Sequence, residues 1–170
     1  MIISLVGFMG TGKSAVGKEL AESLNYQYFD TDSEIEKRTG RSIPEIFENQ
    51  GEEYFRKVES DVLKGILEYS KKIVLATGGG IVLSFENRRL LREKTFPVLL
   101  EAGAREIYNR IKTDSARPLL RVSDPLAEIE SLVEKRKEYY NDFDLRIKTD
   151  GLGIEEIVEE IISRLNFVDS

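Results

Sequence analysis

A glycine-rich stretch near the start of the chain has the sequence Gly7-Phe8-Met9-Gly10-Thr11-Gly12-Lys13-Ser14. An apolar run precedes it at residues 2–6, and residues 15–24 carry apolar side chains at helical spacing. A buried strand, a glycine-rich loop that ends in Lys-Ser and a helix are the context of a phosphate-binding P-loop. Because glycines let the backbone turn sharply, successive N–H groups can point at phosphate oxygens. The stretch therefore predicts that the chain binds a nucleoside triphosphate.

The P-loop also predicts what its individual residues do. Lys13 can reach the β and γ phosphates, and the hydroxyl of Ser14 can bind Mg²⁺. The N-terminus of the following helix adds roughly half a positive charge at the same place. The residues of this stretch that we expect to contact ATP are Gly10, Thr11, Gly12, Lys13, Ser14 and Ala15.

The composition limits the classes of function. A chain of 170 residues fits one domain, expected to span 1–170, and its net charge of −6 gives no basic field for a nucleic acid. The chain has no cysteine and no histidine, so a proton acceptor must be a carboxylate, a lysine or a tyrosine. No apolar run approaches the roughly 18 residues of a membrane span, and no basic leader precedes the first strand. We therefore expect a cytoplasmic protein with no membrane partner.

The pattern of the chain alternates strands with helices throughout. Such alternation with apolar strands implies a parallel sheet that is covered on both faces. We predict an α/β fold of three α/β/α layers with a five-stranded parallel sheet, the P-loop NTPase fold. The strands are expected at 2–6, 26–29, 72–77, 97–100 and 145–147. The helices are expected at 15–24, 31–38, 42–51, 52–69, 84–92, 105–112, 125–140 and 154–165, the last with an apolar stripe that includes Ile154.

Two polar or bare segments follow predicted strands, at the edge where such folds bind ligands. If Asp30 and Asp32 both lie on extended chain, their carboxylates leave on the same side, one for Mg²⁺ and one for an acceptor hydroxyl. Alternatively, Thr31, Asp32 and Ser33 cap the following helix. The glycines at 78–80 form either a tight turn or a backbone without side chains that a substrate can approach closely. In the second case the substrate can accept hydrogen bonds from their N–H groups.

Further motifs follow the P-loop in a fixed order. They are Phe29-Asp30-Thr31-Asp32, Phe55-Arg56, Thr77-Gly78-Gly79-Gly80, Arg117-Pro118-Leu119-Leu120, and Arg136 before Tyr139. In this order and at this spacing they resemble the shikimate kinase family, and the resemblance extends from end to end. It implies an ATP-dependent phosphotransferase that acts on an alcohol group.

The resemblance implies a particular reaction and particular metal contacts. ATP and shikimate would give ADP and shikimate 3-phosphate with the help of Mg²⁺, on the pathway to chorismate and the aromatic amino acids. Asp30 would lie by the metal together with Ser14. Asp32 would hold the ring hydroxyls and either orient or deprotonate the 3-hydroxyl. Members of this family are usually monomers, and we expect a monomer here.

The resemblance also implies which residues hold the substrate. Arg56 and Arg136 would bind the carboxylate, beside Gly78, Gly79 and Gly80, within a helical region at about 31–62. A planar guanidinium matches a carboxylate with two parallel charge-assisted bonds. Each arginine taken alone could equally be a surface residue. Glu59, one turn from Arg56, either braces that arginine or forms an ordinary surface pair with it.

Some assignments stay open at the level of the sequence. Arg110 matches the family position that stacks on adenine, although Lys112 is also within reach. Another P-loop kinase, with gluconate or a nucleoside monophosphate as its acceptor, would share the P-loop but not the later motifs. A catalytically inactive homologue that senses ATP is the alternative from another class. The intact Lys13, Ser14, Asp32 and Arg117 argue against it.

Residues 113–124 are polar and carry few periodic apolar side chains. We expect this segment to be a mobile lid, because the core cannot hold it down. A lid that closes over ATP would bring a cation onto the transferring phosphoryl group and keep water away from it. Arg117 is therefore an expected catalytic and ATP-binding residue.

We predict that Arg117→Ala lowers kcat by about 10²-fold or more, because the cation stabilises charge in the transition state. Shikimate binding should change little. Hydrogen exchange across residues 113–124 should slow when ADP and shikimate are both bound. Exchange that is already slow without ligands, and unchanged with them, would make the segment a fixed loop.

Overall fold

The computed structural model describes residues 1–69, 71–113 and 122–168. Most of the expected lid, and Arg117 with it, lies outside the described residues. The lid and the role of Arg117 therefore stay predictions. Among the helices of the described ranges, none combines the length and the apolar character that crossing a bilayer requires.

Five strands form one parallel sheet, as predicted. They are β1 (Ile2–Val6), β2 (Gln27–Asp30), β3 (Ile73–Ala76), β4 (Phe96–Glu101) and β5 (Arg146–Lys148). Their order across the sheet is β2-β3-β1-β4-β5, and each neighbouring pair is parallel. The strand that leads into the P-loop therefore lies at the centre of the sheet.

The helices cover both faces of this sheet. Their bounds are α1 (Lys13–Leu24), α2 (Thr31–Thr39), α3 (Ile43–Tyr69), α4 (Phe85–Lys94), α5 (Ala104–Ile111), α6 (Pro125–Tyr140) and α7 (Ile154–Val168). A short 3-10 turn at Ile81–Leu83 was not among the predicted elements. It continues the glycine triplet into α4.

Two helices were predicted between residues 42 and 69 with the break at Gly51, and α3 contains both of them. In α3 the residue Gly51 has φ 81° and ψ 175°, so two helical segments meet there with no loop between them. Glycine adopts such a positive φ without the clash that a Cβ would cause. At the start of α3, Glu45 accepts a hydrogen bond of 2.8 Å from the backbone N–H of Ser42, which is the contact of a capping box.

The two largest of the four apolar clusters among the described residues lie on opposite faces of the sheet. Helices α1 and α7 cover one face, where Leu20 and Ile161 are fully buried. Helices α3, α4 and α6 cover the other face through residues such as Leu63 and Leu91. The prediction that Ile154 belongs to the buried stripe of α7 was wrong, because this first residue of the helix is 44% exposed. The sheet and its two covers make the three predicted layers.

The strand order sets the position of the site. Strand β3 lies between β1 and β2, and Ala76 at its end is in register with Leu5 and Asp30. The P-loop after β1, Asp30 at the end of β2 and Thr77 after β3 therefore lie side by side. Parallel strands present their carboxyl ends at one edge, so loops from distant parts of the sequence meet there.

Candidate active site

The P-loop forms a turn that leads directly into α1. Gly12 precedes the helix with φ 98°, a conformation that side chains with a Cβ rarely adopt. Nζ of Lys13 donates hydrogen bonds to the carbonyl oxygens of Gly7 at 2.8 Å and Phe8 at 2.7 Å. These carbonyl groups of the loop thus hold the ammonium group of Lys13 where a P-loop binds phosphate oxygens.

A cavity of about 220 Å³ lies against this loop. Of the P-loop residues expected to contact ATP, all except Thr11 line it, and the hydroxyl of Thr11 donates to the carbonyl oxygen of Phe8 at 2.8 Å. Arg110, an expected ATP contact outside the P-loop, does not line it. Both aspartates also face the cavity. The lining residues are Met9, Gly10, Gly12, Lys13, Ser14, Ala15, Asp30, Asp32, Thr77 and Gly79.

The two residues expected to bind a metal contact each other. The hydroxyl of Ser14 donates to Oδ2 of Asp30 at 3.0 Å, and the hydroxyl of Tyr28 donates to the same oxygen at 3.2 Å. Within the described part of the chain, no cluster of three or more carboxylates could hold a metal by itself. One carboxylate and one hydroxyl fit Mg²⁺, which in nucleotide sites takes its other ligands from water and phosphate.

The idea that both aspartates lie on extended chain was wrong. Helix α2 begins at Thr31, and Asp30 is its N-cap: Oδ1 accepts from the backbone N–H groups of Asp32 at 3.0 Å and Ser33 at 3.3 Å. Asp32 lies in the first helical turn. The alternative prediction of a capped helix after β2 is therefore correct, but the cap is Asp30 and not a residue at 31–33. Both carboxylates still reach the cavity, from a strand end and a helix start.

Asp32 has an unusual protonation equilibrium. Burial, followed by the negative charge of Asp30, raises the pKa of Asp32 from 3.8 to about 6, against the opposing effect of Lys13 and Arg56. Gly78 permits this burial, since a Cβ there would lie 2.6 Å from Oδ1 of Asp32. A carboxyl with a pKa near 6 can accept a proton close to neutral pH more readily than an ordinary aspartate.

Arg56 is braced by a buried acid. Its Nη1 donates to Oε2 of Glu59 at 2.9 Å, and the Glu59 side chain is 1% exposed. Burial also raises the pKa of Glu59. The interpretation of Glu59 as an ordinary surface partner was therefore wrong, and the bracing interpretation agrees with the contact. A Cβ on Gly80 would lie 2.5 Å from both terminal nitrogens of Arg56, so any other residue there would displace the guanidinium from its present position.

Arg136 reaches the same triplet from α6. Its Nη1 donates to the carbonyl oxygen of Gly79 at 2.9 Å, and its Cζ lies 5.1 Å from the centre of the Phe8 ring. The two arginines therefore contact adjacent glycines, Arg136 at Gly79 and Arg56 at Gly80. Two guanidinium groups beside one carboxyl suit an acceptor that carries both a carboxylate and hydroxyl groups.

The glycine triplet differs from the expectation in one respect. The N–H of Gly78 is not left for a ligand, because it donates to the hydroxyl of Thr31 at 2.8 Å. Thr31 is fully buried and ties α2 to the triplet. Sequence reasoning missed this residue as part of the site. The available signal was its position between the two aspartates.

Arg110 is fixed beside the P-loop. It donates to the carbonyl oxygen of Thr149 at 2.7 Å, to the hydroxyl of the same residue at 2.9 Å and to the carbonyl oxygen of Gly10 at 3.4 Å. Lys112 instead donates to Oδ1 of Asn109 at 3.2 Å, on an exposed part of α5. Arg110 is thus next to the nucleotide loop, while its stacking on adenine stays a prediction.

A larger cavity, of about 590 Å³, lies elsewhere. Its walls include Arg89, Arg92, Phe96 and Asp142, near the amino ends of β4 and β5. None of the expected site residues lines it. The chemistry thus points to the smaller cavity at the carboxyl edge of the sheet.

A P-loop, a buried carboxyl and two arginines around one triplet define the class of P-loop small-molecule kinases. The model of one family, described as shikimate kinase, matches residues 9–166. The chain belongs to the shikimate kinase family.

Individual relatives agree with this assignment. A shikimate kinase from Persephonella marina is 44% identical over 163 residues, which are 96% of this chain and 98% of the relative. A solved shikimate kinase from Acinetobacter baumannii, in complex with shikimate, is 36% identical with a TM-score of 0.91. That alignment covers 96% of this chain and 92% of the solved one. A solved gluconokinase from Sinorhizobium meliloti, 17% identical with a TM-score of 0.59 over 98% of this chain and 91% of that one, shares the fold alone.

We predict that Asp32→Asn makes the chain more stable and less active. Because the pKa of Asp32 is about 6 in the fold and 3.8 ordinarily, the folded state binds its proton more tightly than the unfolded state. Ionisation of Asp32 therefore costs stability as the pH rises from 4 to above 6, at most about 3 kcal/mol. Urea unfolding at pH 8 should show a gain of about 1–3 kcal/mol for the variant.

At pH 4 that gain should be nearly absent, because the carboxyl of Asp32 is then protonated in the fold. Turnover by Asp32→Asn should fall by roughly 10²-fold or more if the carboxylate aligns or deprotonates the acceptor. Asp144→Asn, at an exposed position, is the matched control and should change neither quantity. Equal stability of the parent and Asp32→Asn at pH 8 would contradict the raised pKa.

Proposed function

We propose that the chain transfers the γ-phosphoryl group of ATP to the 3-hydroxyl of shikimate, giving shikimate 3-phosphate and ADP. The observation that carries the proposal is the meeting of Arg56 and Arg136 at neighbouring glycines, next to Asp32 and the P-loop. A substrate whose carboxylate lies between these arginines can present a hydroxyl toward Asp32 and the phosphates. Family membership supports the same substrate.

In this proposal the P-loop holds the triphosphate. Its oxygens would accept hydrogen bonds from the ammonium group of Lys13 and from backbone N–H groups of the loop. These N–H groups belong to Gly10, Thr11, Gly12 and Ala15. Lys13 would exchange its present contacts with the carbonyls of Gly7 and Phe8 for phosphate contacts. Arg110 would support the adenine from beside Gly10.

We further propose that Ser14 and Asp30 hold Mg²⁺ at this loop. When bound, the ion would neutralise charge that develops on the phosphates. The hydrogen bond between the two side chains already sets their oxygens side by side. Asp30 can therefore serve the ion and remain the cap of α2, because the cap uses its other oxygen.

Asp32 acts on the acceptor in this proposal. Phosphoryl transfer proceeds through a loose transition state, so alignment of the attacking oxygen contributes as much as removal of its proton. The raised pKa of Asp32 suits either role, since the carboxylate is ionised above about pH 6 and can still accept a proton. Arg56, Arg136 and the glycines at 78–80 fix the ring against which Asp32 works.

We propose a monomer, because members of the family are usually monomers. We propose the cytoplasm as its location, since the reaction consumes ATP. An inactive ATP-sensing relative would have no need for a carboxyl with a raised pKa beside two arginines. The described site therefore favours the enzyme over a sensor.

We predict that shikimate drives ADP release while gluconate and AMP do not. Arg56 and Arg136 contact neighbouring glycines and are proposed to bind the carboxylate of shikimate. The methyl ester of shikimate, which lacks that charge, should therefore also be a poor substrate. A coupled ADP-release assay with the four compounds offered separately measures this. Comparable turnover of gluconate would favour the rival kinase, and comparable turnover of the ester would remove the proposed role of the arginines.

We predict that Arg136→Ala lowers kcat/KM for shikimate by about 10- to 100-fold, because a charge-assisted contact with the carboxylate is lost. Its neighbour Lys137 is exposed and pairs with Glu134 at 3.3 Å. Lys137→Ala is therefore the matched control and should behave as the parent in the same assay. If the two substitutions had equal effects, Arg136 would act only through the overall positive charge of α6 and not by direct contact with the carboxylate.

A further inference from the structure

Arg56 has a second carboxylate partner besides Glu59. Oε1 of Glu52 accepts from Nε at 3.3 Å and from Nη2 at 3.2 Å, so one oxygen engages two donors on the same edge of the guanidinium. Glu52 follows the kink residue Gly51 directly and lies one turn before Arg56 on α3. Its side chain is 62% exposed, whereas that of Arg56 is 25% exposed.

The remaining donors of Arg56 face groups that cannot easily leave. Nη1 donates to Glu59, which is buried. A Cβ on Gly80 would be 2.5 Å from Nη1 and Nη2 but 2.8 Å from Cζ, which places the backbone of Gly80 at the end of the guanidinium fork. The edge formed by Nε and Nη2 is therefore the one at which another carboxylate can form two parallel bonds.

We propose that Glu52 is an internal competitor of the substrate: its carboxylate occupies the edge of Arg56 that the carboxylate of shikimate takes. The proposal rests on the proposed function, since it requires Arg56 to bind the substrate. Binding is then an exchange of one carboxylate for another. The guanidinium keeps a negative partner on this edge before and after the exchange.

The position of Glu52 suits such an exchange. An exposed ion pair contributes little to stability, so its breaking is a small cost. The side chain can turn into solvent, where its charge is hydrated. If it stayed in place, two carboxylates would meet at one edge and repel each other. The same exchange applies to the product, which keeps the carboxylate, so the return of Glu52 favours product release.

The test is the affinity of the full-length chain for shikimate, measured by calorimetry without nucleotide. Glu52→Gln keeps the size of the side chain but removes its charge, and we expect shikimate to bind roughly two- to fivefold more tightly, the range of an exposed pair. KM should fall to match, while kcat changes by less than about twofold, because binding in the ground and transition states shifts together. Glu52→Ala should also bind more tightly, which excludes an effect of the amide itself.

Glu53→Gln is the matched control. Glu53 is exposed on the same turn, and its side chain makes no hydrogen bond or ion pair with the described residues, so shikimate affinity should equal that of the parent. Unchanged binding by both Glu52 variants would overturn the competition. Weaker binding would also overturn it, since Glu52 would then position Arg56 for the substrate.

The outcome for the parent chain separates this proposal from the proposed function. If the parent does not bind shikimate at all, the proposed function fails and the competition fails with it. If the parent binds and phosphorylates shikimate but the Glu52 variants show no tightening, only the competition fails. Thermal unfolding of each variant within a few degrees of the parent verifies that the fold is kept.

Discussion

The carboxylate of Asp30 is the group on which the rest of the site depends. Oδ1 accepts from the first N–H groups of α2, and Oδ2 accepts from Ser14 at the end of the P-loop. One side chain thereby fixes the helix that carries Asp32 relative to the loop proposed to hold the phosphates. Burial is the main cause of the raised pKa of Asp32, and the charge of Asp30 adds to it. Asp30 therefore affects both the position and the protonation of the proposed catalytic carboxyl.

The parts of the fold that could be predicted from sequence are those that depend on local patterns. The sheet could be predicted from apolar runs of strand length and from the P-loop, because burial on both faces requires apolar strands. The helical layers on its two faces could be predicted from the helical periodicity. The break at Gly51 between the two helical segments of α3 was also predictable, because this glycine interrupts the helical pattern.

Candidate residues for the site could be chosen from the sequence, but most of their contacts could not be predicted. Arg136 lies in a run of charged residues, and only the resemblance to the family distinguished it from its neighbours. The burial of Glu59 depends on packing. The contacts of Gly80 with Arg56 and of Thr31 with Gly78 join residues that are far apart in sequence. Single-sequence patterns do not contain such information, because burial is decided by the elements that pack together.

Arg110 joins the carbonyl of Gly10, near the start of the chain, to Thr149, near its end. During synthesis the P-loop leaves the ribosome first, long before α5, α6 and β5 exist. The side chains that fix the loop and flank the triplet, Arg110, Thr149 and Arg136, all come later. A growing or truncated chain therefore contains the nucleotide motif without its supports. The site can therefore assemble only after the chain has been made through Thr149.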